Sequence, residues 1–465
     1  MIGDRGHARP AVLVLAVLVV LAAVVPAVAA AKPRAIVVLP FDASTLARED
    51  QWLGEGIAQV VTLSLAQHPA FVQVDRARLK PLGEPEIWGE DVVVQSARTI
   101  KADAALFGRV TVKDADLVFH PRLAEIKGAS ADTLALEPVT VPLAEVRETC
   151  SERGRKDDSP FLARVSALPV VYARALRATV NDAERSRMDR AARPTSKLCA
   201  FHLFTRGQVA LLKPGQEGRE AAVDLLSRAI EADPNFVVAQ YTLGNVHQAL
   251  GNRWKAAAQY RAATQLDPTA PEPLKALGDL FLAAPRRLFD QAVEAYAKAI
   301  ELRPFYAEAH VGLGDAKAAK GDVDGAIAAY QKALVYNPIN PRVHLSLGKI
   351  YYAEKGLYYE AVNAYKKAID IDPGSVDARM GLGEVYEEKG LYREALDEYR
   401  KVMDLDGKHT GALYNLALVY EKVDPREAIV QWERYIALAS QLPSERDWVD
   451  VARQHVRKLR NQLKE

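Results

Sequence analysis

The second half of the sequence repeats one pattern of small residues, tyrosine and proline. In the stretch GAIAAYQKALVYNP, residues 325–338, alanines flank a tyrosine at the three- and four-residue spacing of one helix face, and a proline ends the run. The prolines that close successive copies are separated by 34, 36, 34 and 35 residues: Pro234, Pro268, Pro304, Pro338 and Pro373. A fixed period of this length indicates a repeat architecture, in which each unit buries its apolar face against its neighbours.

Each copy combines small and aromatic residues in the same order. A Leu-Gly pair comes first in most copies, an alanine follows, and a large aromatic residue stands four residues after that alanine: Tyr260, Tyr296, Tyr330, Tyr365, Tyr399 and Trp432. Small residues let two antiparallel helices approach closely, and the ring on the same face fills the wedge between hairpins. Proline ends the second helix because it lacks a backbone donor and clashes with the preceding turn. The pattern therefore predicts a series of helix hairpins.

This order of Leu-Gly, alanine, aromatic residue, alanine and proline resembles the tetratricopeptide repeat family. Units begin near residues 237, 271, 307, 341, 376 and 410, and a looser one begins near Ala200, so we expect about seven repeats over residues 200–441. In the sixth unit Gly407 replaces the closing proline and Val402 replaces an alanine. The resemblance implies an all-α solenoid wound as a right-handed superhelix. The polar-faced segment 442–465 is predicted to cap it as a final helix.

The segment before the repeats has the pattern of an α/β domain. The apolar run 35–44 predicts a buried strand, a helical pattern starts at Trp52, and further strands around a second helix are predicted from Phe71 onward. The stretches VVLPF, GIAQVVTLSL, VDR and IKADAALFGRVTV resemble the amino-terminal domain of TolB. We therefore expect a TolB-like domain over residues 32–180 and a linker over residues 181–199. The resemblance implies an envelope domain for protein contacts, without catalysis.

The first residues have the features of a targeting segment. Within residues 1–31, Arg5 and Arg9 precede an unbroken apolar run, and Pro26 and small residues follow it at a spacing typical of signal peptidase sites. A cleaved signal peptide is one interpretation. A membrane anchor formed by residues 11–31, which are just long enough to span a bilayer, is the other. Both place the rest of the chain outside the cytoplasm, and we predict an exported, periplasmic protein.

The chain has two cysteines, Cys150 and Cys199. In an oxidising compartment such a pair can form a disulfide. The alternative is two separate buried thiols, because the sequence does not give the distance between their Cα atoms. A framework of disulfides is excluded, so hydrophobic burial must stabilise the fold.

The resemblance to tetratricopeptide repeats also implies a concave groove, lined by the first helix of each unit. The positions that face such a groove carry a tyrosine and amides first, then alternating charges, and then acidic residues: Tyr241, Asn245, Gln248, Lys275, Asp279, Asp315, Lys349, Tyr352, Glu384, Glu387 and Tyr414. Tyrosines favour the binding of an extended peptide because they give contact area at a low cost in conformational entropy. The alternative interpretation is that each of these residues belongs to a solvated helix face.

The sequence contains no motif for a phosphate loop, a nucleophile elbow or a zinc helix. We therefore predict no catalytic, cofactor or metal site, and the net charge of +1 does not favour a nucleic-acid partner. The leading interpretation is a non-enzymatic scaffold of the bacterial cell envelope. It would hold a protein or peptide segment in the groove and a second envelope protein on the N-terminal domain. The alternative is an accessory subunit of an envelope export or polysaccharide-synthesis machinery that recruits an enzyme partner.

Overall fold

The computed structural model of the chain describes residues 32–74, 78, 89–146, 150 and 158–463. The predicted leader, residues 1–31, lies outside the described residues, as do Asp75 and Arg76 of the TolB-like pattern. In the part of the chain that is described, no helix combines the length and the apolar character needed to cross a membrane.

The N-terminal region contains a mixed six-stranded sheet. Its strands are β1 (Arg34–Val38), β2 (Phe71–Gln73), β3 (Ala104–Lys113), β4 (Asp116–Lys127), β5 (Ser130–Ala135) and β6 (Val139–Pro142). The order is β2-β1-β3-β4-β5, and β6 also pairs with β4. β1 is parallel to β2 and β3, whereas β3, β4 and β5 are antiparallel neighbours joined by short turns. The sequence predicted the α/β character and four of these strands, and β5 and β6 are additions.

Helices cover both faces of this sheet. They are α1 (Trp52–Leu65), α2 (Glu90–Thr99), α3 (Pro160–Val165), α4 (Leu168–Ala175) and α5 (Asp182–Ala192). Successive residues of β1 enter different apolar clusters, Ile36 with α1 and Val37 with α2, because side chains alternate across a strand. Within the segment 181–199, α5 buries Met188, and the Ser64 hydroxyl of α1 donates to the Met188 carbonyl at 2.9 Å.

Seven helix hairpins follow in the described residues, as the repeat pattern predicts. Their helices are α6 (Leu198–Leu212) with α7 (Gln216–Ala232), α8 (Val237–Ala249) with α9 (Arg253–Leu266), α10 (Pro271–Leu282) with α11 (Phe289–Leu302), α12 (Ala307–Ala319) with α13 (Val323–Tyr336), α14 (Pro341–Ala353) with α15 (Tyr358–Ile371), α16 (Val376–Glu388) with α17 (Tyr392–Leu405), and α18 (Thr410–Val423) with α19 (Pro425–Ala439). The helix α20 (Arg446–Gln462) packs on α19. First helices of adjacent units also contact each other, for example α10 with α12 and α14 with α16.

The N-terminal domain and the first two units share one hydrophobic core. The indole of Trp52 in α1 packs edge-on against Phe161 and Phe201, with ring centroids 6.4 and 6.2 Å away. The same cluster of buried residues continues through Phe204 to Leu243 of the second unit. Because this core is continuous, the first units and the domain stabilise each other.

The domain also contacts the loops that close the third and fourth units. Arg303 donates to the side-chain oxygen of Gln67 at 2.9 Å, and the Arg187 guanidinium lies 6.0 Å from the centroid of the Phe305 ring. Ile339, in the next loop, packs against the apolar cluster of the sheet. The domain therefore lies along one edge of the solenoid rather than at its end alone.

Cys150 and Cys199 are joined by a disulfide, with an S–S distance of 2.11 Å. The structure therefore confirms a disulfide rather than two separate buried thiols. Cys199 belongs to α6, so the bond ties the N-terminal region to the first helix hairpin. A disulfide of this kind indicates an oxidising compartment.

Candidate functional site

The repeated tyrosines are buried against glycines of the first helices. A Cβ at Gly278 would lie 2.7 Å from Cε1 of Tyr296, and a Cβ at Gly312, one unit further on, would lie 2.3 Å from the same atom. Tyr296 is inaccessible to solvent. The ring can enter between two consecutive first helices only because both present glycine, which is the packing that the pattern predicts.

The hydroxyl groups of these tyrosines, which lie on the second helix, contact polar side chains on the first helix of the same hairpin. Four of them lie within hydrogen-bond distance of side-chain oxygens there: Tyr260 of Asn245 (2.7 Å) and Gln248 (2.8 Å), Tyr296 of Asp279 (2.7 Å), Tyr330 of Asp315 (2.6 Å), and Tyr399 of Glu387 (3.0 Å). Burial, and after it the Asp279 carboxylate, raises the pKa of Tyr296 far above its usual range, so this phenol stays a proton donor.

This result changes the role of five predicted groove residues. Asp279, Asp315 and Glu387 each accept a hydrogen bond from the second helix of their own unit, and Asn245 and Gln248 share the hydroxyl group of Tyr260. They therefore help to hold the hairpin together, and only their remaining lone pairs face other groups. The sequence analysis did not detect this contact, although the acceptor follows the Leu-Gly glycine by one or four positions in each case.

Ion pairs occupy two of the same carboxylates. The Lys275 ammonium lies 2.7 Å from Asp279 on the same helix, and Arg342 of the following unit pairs with Asp315. The Arg342 contact joins two consecutive first helices. The charged groups of Lys275, Asp279 and Asp315 are therefore largely paired with other groups of the protein itself.

Residues of α14 and α16 form a more open stretch. The Lys349 side chain is 57% exposed, and its ammonium lies 3.6 Å from Asp377. The Tyr352 ring stands edge-on to Tyr358, with centroids 6.1 Å apart. Burial, followed by the nearby Glu387, raises the pKa of Glu384, whose charge also interacts with Lys349. The structure therefore brings Lys349, Tyr352 and Glu384 into one surface of mixed charge and aromatic character.

The two predicted tyrosines at the ends of the series differ from this middle surface. Tyr241 packs against Tyr260 with ring centroids 6.0 Å apart, and burial raises the pKa of Tyr241 to about 12. Tyr414 lies in an aromatic cluster, with ring centroids 4.9 Å from Trp432, 5.4 Å from Tyr435 and 5.6 Å from Trp448. Tyr414 also lines a cavity of about 220 Å³ beside α20. The sequence analysis named Tyr414 but not its partners Tyr435, Glu445 and Trp448.

The histidines that recur in consecutive units have a structural role. His310 and His344 occupy the same position of α12 and α14, and each ring nitrogen Nε2 lies within hydrogen-bond distance of the carbonyl of the preceding closing proline, at 2.9 and 3.4 Å. Arg379 makes the equivalent contact with the Pro373 carbonyl, at 2.9 Å. Among the described residues, no group of three or more histidine, cysteine or carboxylate side chains is arranged to hold a metal ion.

Comparisons with known proteins agree with this architecture. A model described as tetratricopeptide repeat matches residues 237–269 and 376–409, and one described as TPR repeat matches residues 314–354 and 352–390. No curated protein matches the chain.

Three solved structures illustrate the similarity. The chain is 30% identical to MamA over 36% of this chain and 95% of MamA, with a TM-score of 0.33. It is 21% identical to YrrB, described as a TPR protein with an unusual peptide-binding site, over 41% of this chain and 97% of YrrB, with a TM-score of 0.34. It is 18% identical to PilW, described as a widely conserved type IV pilus biogenesis factor, over 44% of this chain and 92% of PilW, with a TM-score of 0.40.

The stacked hairpins, with glycines and tyrosines at their crossings, define a helical-repeat protein of the kind that mediates contacts between proteins. The family matches specify the repeat: the chain is a tetratricopeptide repeat protein.

Proposed function

We propose that this protein is a non-enzymatic scaffold of a bacterial cell envelope, which binds a segment of a partner protein on the first helices of its repeats. The observation that carries the proposal is the surface formed by Lys349, Tyr352 and Glu384. It is the part of the predicted groove where side chains from two adjacent first helices are not fully used within the fold. A charged and aromatic surface of this kind suits an extended polypeptide.

Location outside the cytoplasm is supported by two independent features. The apolar segment near the N-terminus has the composition of a signal peptide, or of an anchor over residues 11–31. The Cys150–Cys199 disulfide fits an oxidising compartment. We propose that the mature protein works in the periplasm.

The N-terminal domain, for which we keep the TolB-like assignment as a proposal, would contact a second envelope protein. Its exposed edge strand β5 supports this role. β5 pairs with β4, and Leu134 on it is 52% exposed. An edge strand carries backbone groups that can pair with a strand of another chain.

The test is site-specific photo-crosslinking of the full-length protein in the cells that produce it. A photoreactive p-benzoylphenylalanine replaces Lys349, and in the control it replaces Lys332, an exposed residue of the second helix α13. We expect an adduct with a partner from position 349 and none from position 332. Adducts from position 332 alone, or equal adducts from both, would contradict the groove assignment. The mass of the adduct distinguishes a general scaffold from an accessory subunit that recruits an export or polysaccharide-synthesis enzyme.

A further inference from the structure

A small cavity lies between the last repeat and the C-terminal helix. Its volume is about 220 Å³, below the roughly 300–1,000 Å³ that is typical of sites for cofactors and drug-sized ligands. It is therefore suited to one side chain rather than to a whole cofactor. Its walls come from the start of α18, from α19 and from the first residues of the C-terminal segment: Thr410, Gly411, Tyr414, Tyr435, Glu445 and Trp448.

Three of these six residues are aromatic. The rings of Tyr435 and Trp448 stand at 76° and 80° to the ring of Tyr414, so the cavity is bordered by rings in perpendicular orientations. Trp448 is 53% exposed, which is unusual for so large an apolar side chain. The faces of tryptophan and tyrosine rings attract cations through the ring quadrupole.

The fourth important wall residue is Glu445, whose carboxylate is hydrogen-bonded to uncharged groups. Glu445 accepts hydrogen bonds from the hydroxyl groups of Tyr435, at 2.8 Å, and Thr410, at 3.2 Å. Within the described residues, no lysine or arginine is paired with Glu445, whereas the buried Glu398 is paired with both Arg379 (3.0 Å) and Lys401 (2.7 Å). Two hydroxyl donors leave the net charge of the carboxylate in place.

The positive end of α18 does not cancel this charge. The partial charge at a helix N-terminus is equivalent to about half a proton charge, so it offsets only part of the charge of Glu445. The preceding first helix adds carboxylates of the same sign, Glu384 and Glu387, and Glu387 accepts its hydrogen bond from the neutral phenol of Tyr399. A partner segment that follows the first helices toward this end therefore meets two carboxylates whose charge is offset in part by Lys349 and Lys422, and then Glu445.

We infer that this cavity binds a basic side chain, that of arginine or lysine, of the partner segment. The inference rests on the proposed function, because it names the chemistry that the C-terminal end of the same surface recognises. The ammonium or guanidinium group would lie against Trp448 and Tyr414 and pair with the free lone pairs of Glu445.

The test is isothermal titration of the full-length protein with two pentapeptides. One has arginine between pairs of glycines, and the other has citrulline, the neutral analogue of arginine, in the same place. We expect the arginine peptide to bind at least about tenfold more tightly, since citrulline keeps the shape but loses the charge. Glu445→Gln keeps the shape and one of the two acceptor oxygens, puts an NH2 group in place of the other, and should weaken the arginine peptide by a similar factor. Trp448→Ala should weaken it by roughly 2- to 30-fold.

The matched control is Glu394→Gln, which removes the same charge from an exposed position of α17. It should bind the arginine peptide like the unmodified protein. Equal binding of the two peptides, no binding of either at millimolar concentration, or insensitivity to Glu445→Gln would each overturn the inference. None of these outcomes affects the crosslink expected at position 349, so failure of the cavity and failure of the groove are distinguishable. Circular dichroism verifies that each variant is folded.

Discussion

Replacing Tyr330 with phenylalanine should destabilise the solenoid, whereas the same change at Tyr365 should leave its stability almost unchanged. The two residues occupy the same position in consecutive units and are 3% and 1% exposed. The hydroxyl of Tyr330 donates to Asp315 at 2.6 Å. The residue equivalent to Asp315 in the next unit is Lys349, whose side chain cannot accept a hydrogen bond. None of the described side chains accepts a hydrogen bond from Tyr365.

The expected difference follows mainly from the contact with Asp315, beside which the Tyr330 hydroxyl also has a hydrogen bond with Ser346. A hydrogen bond to a charged group contributes about 1.5–3 kcal/mol to stability. Asp315 keeps its ion pair with Arg342 in the Tyr330→Phe variant, so we take the low end of this range, about 1.5 kcal/mol. Tyr365→Phe removes a hydroxyl that has no hydrogen-bond partner among the described residues, and the cost should stay within about 0.5 kcal/mol. Effects of losing the oxygen atom itself are common to both variants and cancel in the comparison.

Urea denaturation followed by circular dichroism would measure both variants in the full-length protein. Because repeat arrays can unfold in parts, amide hydrogen exchange of α12 to α15 should be measured as well. Exchange should accelerate in α12 and α13 of the Tyr330→Phe protein. If Tyr365→Phe were as destabilising as Tyr330→Phe, the hydroxyl contacts would not be what stabilises the hairpins, and the argument would be wrong.

Three further outcomes are expected. Gly312→Ala would place a Cβ 2.3 Å from the Tyr296 ring, so it should cost about 1–3 kcal/mol in thermal unfolding, and no loss would contradict the close packing. Burial lowers the pKa of His202 to about 4. The unfolded chain then binds more protons between pH 6.5 and 4, so stability should fall as the pH drops through this range, and His202→Gln should reduce that slope in urea midpoints. Reducing the Cys150–Cys199 bond opens a loop of 49 residues. Chain entropy predicts a loss of about 4 kcal/mol, measurable as a lower denaturation midpoint in dithiothreitol.

The hairpins could be predicted from the sequence because their packing is encoded locally. Glycine at position 278 and tyrosine at position 296 are 18 residues apart, and they meet whenever two helices of this length fold back on each other. The strands β1, β3 and β4 were also predictable, because their buried residues are continuous or alternate regularly. β5 was missed because it is an exposed edge strand, SADTLA, with little apolar periodicity.

The candidate site was predictable only in part. Counting positions along a repeat identifies residues of the first helix, but it does not show which of them are used by the second helix, as Asp279 is by Tyr296. The cavity at Glu445 and Trp448 depends on how the last helix is placed, and no repeat pattern describes that helix. The sequence did contain one signal for the contacts between the N-terminal domain and the repeats. The loops RPFY and NPIN carry Phe305 and Ile339 where the loops DPTA and DPGS carry only small or polar residues.

The position of the N-terminal domain along the first five units has a mechanical consequence. A free solenoid can bend and stretch, because small rotations at each junction between units add up along its length. Here the shared core around Trp52, the contacts at Arg303 and Ile339, and the hydrogen bond from Arg78 to the Ile371 carbonyl fasten one rigid body across successive junctions. Bending should therefore be concentrated in the last two units. The elastic part of the molecule is then the part that carries Glu384 and Trp448, while the fastened part acts as its base.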